Sequence, residues 1–160
     1  YDAGISYIKN VLEATKTLLK NPNDLDARGI IMMGASLSTS SRMGIGKEEA
    51  YAYDIYELEF LPEKLFGSSY RRSLTSIFPR FLEAMGKRHA EDVGKYYLDV
   101  FGFDSSIEES SRKLVALFSD FGVDMYYDGI INREQVGCIP CDTELDENEI
   151  FEMINGLIRK

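Results

Sequence analysis

Apolar residues return at steps of three and four along almost the whole chain, a period that predicts helices rather than strands. Ile5, Ile8, Leu12, Thr15 and Leu19 form the first stripe. Asn21-Pro22-Asn23-Asp24 stops it, because proline cannot continue a helix and Asn and Asp favour turns and caps. A second helix is expected from about Asp24 to Met43, closed by Gly44 and Gly46. Its middle, GIIMMGASLSTSSRMG, mixes bulky and small residues on several faces and so predicts a buried, closely packed helix. Next comes EAYAYDIYELEF, in which Tyr51, Tyr53 and Ile55 alternate as in a strand. Ala52, Ile55, Tyr56 and Glu59 fit helical steps instead, and the Lys47-Glu48-Glu49-Ala50 lead-in is a strong helix former. A helix to Leu61, broken by Pro62, is the expectation.

The same period continues through Leu74, Ile77, Phe78, Phe81, Leu82 and Met85, with Pro79 expected to kink that helix or shorten its first half. A helix from Ala90 to Phe101 should close at Gly102. Asp104 is expected to cap another, which carries Ile107, Leu114, Leu117, Phe118 and Phe121 and ends at Gly122. Residues 123–142 read as irregular. Asp146 followed by Glu149 is a capping-box pattern that opens a last helix, with Ile150, Met153, Ile154, Leu157 and Ile158 on its stripe. Neither a βαβ alternation nor an internal repeat occurs, so the expected fold is all-α, a helical bundle over residues 1–160 as a single helical domain.

Composition narrows the partners. The 160 residues are 44% apolar and 28% charged, which suits a packed core and excludes wholesale disorder. The formal net charge of −9 argues against nucleic acid or an anionic membrane surface, since no Lys/Arg surplus exists to replace phosphate counterions. No apolar run approaches the roughly 20 residues of a membrane span, and no basic-then-apolar leader opens the chain, so a cytoplasmic setting is expected. Tyr1 in place of an initiating Met suggests a domain fragment.

Candidate chemistry is sparse. Cys138 and Cys141 form a C-x-x-C that lacks the second pair or histidines of a zinc site and the strand-to-helix setting of a redox pair, so chance thiols are the first reading. His89 is the only histidine, and its place after Gly86-Lys87-Arg88 reads as an exposed helix end rather than a catalytic base. Glu57/Glu59 and Glu108/Glu109 read as solvated helix faces. Neither a phosphate-cradling glycine loop nor a calcium loop is present.

Several stretches in order resemble one family. Lys20-Asn21-Pro22-Asn23-Asp24-Leu25-Asp26-Ala27-Arg28 is similar to the NP-D-ARxxLM segment of the iron-containing alcohol dehydrogenases, in their butanol-dehydrogenase-like branch. Gly67-Ser68-Ser69-Tyr70 with Ser73-Leu74-Thr75-Ser76-Ile77-Phe78-Pro79 resembles the family's HGxGLAIxFPxWM stretch, and Glu144 to Ile150 its closing LTxEDIxEI helix. The resemblance implies the C-terminal helical domain of a dehydroquinate synthase-like fold. In that family an N-terminal α/β domain holds NAD(P), and the helical domain holds a divalent metal, usually iron, through one aspartate and three histidines.

Two of those ligands would lie upstream of this chain, and the other two histidines would fall near Tyr53 or Tyr56 and at Tyr70. A phenol is a poor substitute for imidazole at neutral pH. No metal ligand, catalytic residue or cofactor-binding residue is therefore carried over, and Tyr53, Tyr56 and Tyr70 are expected to line the emptied pocket. The implied function is that of a metal-free oxidoreductase domain, inactive alone, whose nucleotide-binding domain is absent. The alternative is a non-enzymatic helical protein-interaction domain. Self-association into a homo-oligomer fits either.

Overall fold

The computed structural model describes residues 2–38, 54–139 and 141–159. Among them lie eight helices and no strand: α1 (Asp2–Lys20), α2 (Leu25–Ser38), α3 (Asp54–Phe66), α4 (Tyr70–Met85), α5 (Ala90–Phe101), α6 (Ile107–Asp120), α7 (Arg133–Gly137) and α8 (Glu147–Asn155). The all-α expectation holds. No helix among the described residues is long and apolar enough to cross a membrane. The expected closure at Gly44 and Gly46 and the lead-in from Lys47 lie outside the described residues, as does Tyr53.

The chain forms two compact units. One takes in α1 and α2 together with Leu98–Gly102. The turn between α1 and α2 is held locally: the Asp24 carboxylate accepts from the Ala27 N–H at 2.9 Å, and Arg28 Nε donates to the Pro22 carbonyl at 2.8 Å. Gly34 lets the two helices close up, since a Cβ there would stand 2.9 Å from Val11 Cγ2. Only Ala27 and Gly34 of α2 are buried, whereas Leu25, Met32 and Met33 are exposed. The all-round burial expected of this helix is thus reduced to a single contact stripe over its described part.

The other unit takes in α3 and α4, most of α5, and everything from Phe103 onward. Its core joins Leu58 and Leu61 of α3, Ile77 and Ala84 of α4, Val136 of α7, and Ile150, Met153 and Ile154 of α8. Pro62 does not end α3, which runs on to Phe66. A proline inside a helix costs about 3 kcal/mol. Burial of Leu58 and Leu61, each worth roughly 1.5–3 kcal/mol, together with the fully buried Pro62, offsets that cost. Pro79 likewise lies within α4, and its carbonyl accepts a 3.0 Å hydrogen bond from Ser111 Oγ of α6.

The caps differ in detail from expectation. Ser106 rather than Asp104 caps α6, its side chain accepting from the Glu109 N–H. The helix closes where expected: Gly122 takes φ +85°, and Val123 and Gly122 donate back to Phe118 and Ser119. Within the stretch expected to be irregular, Asn132 and Gln135 form a capping box that opens the short α7. Asp146 and Glu149 form the expected capping box of α8.

Candidate functional site

The α3–α4 hairpin is anchored from below by Tyr127. This residue is 3% exposed, and its hydroxyl lies 3.0 Å from Ser68 Oγ and 2.9 Å from Ser76 Oγ, before and within α4. Its ring stacks on Phe66 at 4.6 Å between centroids, with Arg72 above the ring at 4.3 Å. Its backbone pairs with Leu157 and Arg159 just beyond α8. Arg72 donates to the Asp124 carboxylate at 2.9 Å and to the Tyr126 carbonyl, and Arg159 reaches the same carboxylate at 3.1 Å. One residue thereby fixes where α4 starts relative to α3 and the C-terminal segment.

With its start so fixed, α4 brings Tyr70 close to α3. The Tyr70 phenol is pushed above its ordinary pKa of 10 first by burial, then by the nearby charges of Glu59, Tyr56 and Glu63. The consecutive helices α3 and α4 thus hold Tyr56 and Tyr70 within each other's electrostatic reach. They keep 41% and 49% of their surface, so each ring is partly covered and partly open.

Glu59 departs from expectation most. It is 3% exposed rather than solvated, and its Oε2 has no hydrogen-bond partner among the described residues. Burial, reinforced by the Glu63 carboxylate one turn on, pushes its pKa from 4.5 up to about 7. Pattern reading could not find it, because a glutamate among acids reads as solvent-facing until its neighbours in space are known.

The remaining candidates stay apart. Cys138 is exposed and Cys141 half-buried, both free thiols. Cys141 lines a cavity of about 430 Å³ with Val136, Ile139, Leu145 and Ile150. Burial, with help from the Glu57 carboxylate, pushes the Cys141 thiol up, which makes it a weaker nucleophile. The His89 carbonyl accepts from the Val93 N–H at the start of α5, and its ring lies 3.1 Å from the Glu144 carboxylate in an exposed contact. Among the described residues no group of three His, Cys, Asp or Glu side chains is placed to hold a metal ion. Compared with family models, with curated proteins and with solved structures, the chain matches none.

Proposed function

We propose that this chain is the helical domain of an oxidoreductase of the iron-containing alcohol dehydrogenase type in which tyrosine has replaced the metal-binding histidines. What supports the reading is that Tyr56 on α3 and Tyr70 on α4 lie within each other's electrostatic reach. The sequence resemblance places its two remaining histidines near Tyr53 or Tyr56 and at Tyr70. In such a protein hydride transfer requires a nicotinamide, which a separate α/β domain holds. The helical domain supplies the wall against which that cofactor and its substrate lie. Glu59, whose pKa is raised to about 7, and two phenols form a wall suited to holding protons rather than a metal.

A second reading, a non-enzymatic helical interaction domain, draws on the exposed Leu25, Met32 and Met33 of α2. The coding sequence upstream of Tyr1 separates the two. The first reading expects there a strand followed by a glycine-rich phosphate loop and an Asp-x-x-x-His pair. A reading frame that opens close to Tyr1, or continues into unrelated sequence, contradicts it and favours the interaction domain.

A further inference from the structure

Tyr56, Glu59, Phe60 and Glu63 stand at steps of three and four on α3 and so share one face of that helix. Phe60 keeps 46% of its surface and Tyr56 and Tyr70 are similarly open, and the Tyr70 phenol feels the charges of both Glu59 and Glu63. Glu59 sets this face apart from an ordinary solvated one. Its side chain is withdrawn from water, and the charge it feels most is the carboxylate of Glu63 rather than any cation. A buried carboxylate beside a second one is a costly arrangement that a cation from outside relieves.

The surrounding groups select the kind of cation. A small hard metal ion requires several oxygens or nitrogens converging on it, and the described residues offer no such group of three. Ring faces attract a large, weakly hydrated cation, which settles within about 6 Å of a ring centroid while its alkyl groups cover the ring. A primary ammonium is more strongly hydrated and gains less from leaving water. We propose that this face of α3, together with Tyr70, binds an alkylated ammonium group, with Tyr56, Phe60 and Tyr70 presenting ring faces and Glu59 and Glu63 supplying the balancing charge. The proposal rests on the geometry of α3 and α4 and does not depend on the kinship proposed above.

The test is a titration of the full chain with choline, followed through the tyrosine ring signals by nuclear magnetic resonance. The control is 3,3-dimethyl-1-butanol, which has the same shape without the charge. Choline is expected to give saturable shifts with a dissociation constant in the millimolar range, and the alcohol none. Glu59→Gln and Tyr70→Ala are expected to weaken choline binding by about tenfold or more while the helical circular dichroism stays unchanged. A peptide carrying trimethyllysine, titrated in parallel, distinguishes a protein-borne ammonium from a free one, and saturable binding of either supports the site. Equal shifts from the alcohol, wild-type binding by Glu59→Gln, or no saturable response to either cation overturns it.

Discussion

Replacing Tyr127 by alanine is expected to lower the unfolding free energy by about 4 kcal/mol, within the range for deleting a buried aromatic side chain. In a chain of this size that corresponds to a fall in melting temperature of roughly 8–16 °C. The effect is large because the side chain serves several elements at once. Its ring stacks on Phe66 at the end of α3 and lies under the Arg72 guanidinium, and its hydroxyl joins Ser68 to Ser76. Removing it leaves a cavity against Phe66 and strips Ser76, which is fully buried, of a partner. Tyr127→Phe keeps the ring and loses only the hydroxyl, so it is expected to cost about 1–2 kcal/mol. Thermal melts of the two variants beside the parent measure the difference. Equal losses would show that the hydroxyl network, not the stacked ring, carries the anchor.

Glu59→Gln is expected to act in the opposite direction and only above a certain pH. The folded state raises the carboxyl pKa from 4.5 to about 7, so between those values the folded chain binds a proton that the unfolded chain has released. Stability therefore falls as pH rises through that window, and the full penalty is present above about 7. Glutamine has the shape of the protonated side chain and carries no such penalty. At pH 8 the variant is expected to be more stable than the parent by about 2–3 kcal/mol, and at pH 4.5 the two should melt together. Denaturant unfolding at both values of pH checks it. A variant that is less stable at pH 8 would mean that the carboxylate is balanced by a cation in the folded chain. The cost at neutral pH is also the reason to look for a ligand at this face, since stability given up at one place is a mark of a functional site.

Periodicity made most of the helices legible because each buries a stripe that recurs every three or four residues. The capping box of Asp146 and Glu149 and the closure at Gly122 were legible for a related reason, since both satisfy backbone groups through residues adjacent in sequence. Where the structure departs from the pattern, contacts distant in sequence outweigh local preference. Pro62 reads as a breaker, yet Leu61 before it and Leu65 and Phe66 beyond it all join the core cluster, which draws the last turn of α3 into place. The short α7 spans too few residues to show a period, although its capping pair Asn132 and Gln135 stands in the sequence. Ser106 and Asp104 are both chemically fit to cap α6, and only the backbone path selects Ser106.

The site was legible in part. The resemblance singles out Tyr53, Tyr56 and Tyr70; Tyr53 lies outside the described residues, and the Tyr70 phenol feels the charge of Tyr56. The burial of Glu59 was hidden, because residue type argues for exposure and only the folded chain withdraws it from water. Phe60 passed unnoticed for the converse reason: as a phenylalanine it suggests core, and it is 46% exposed.

The central claim is that tyrosines occupy the metal position on this helical scaffold, and metal content tests it most directly. The untagged chain, incubated with iron(II) or zinc and then freed of unbound ion, goes to elemental analysis. A site built from Tyr56, Tyr70 and Glu59, whose pKa is raised to about 7, lacks the imidazoles and the ligand number that hold either ion at neutral pH. Well under one atom of iron or zinc per chain is the predicted result. One tightly held atom per chain, retained through gel filtration and released by Tyr56→Ala or Tyr70→Ala, would contradict the account.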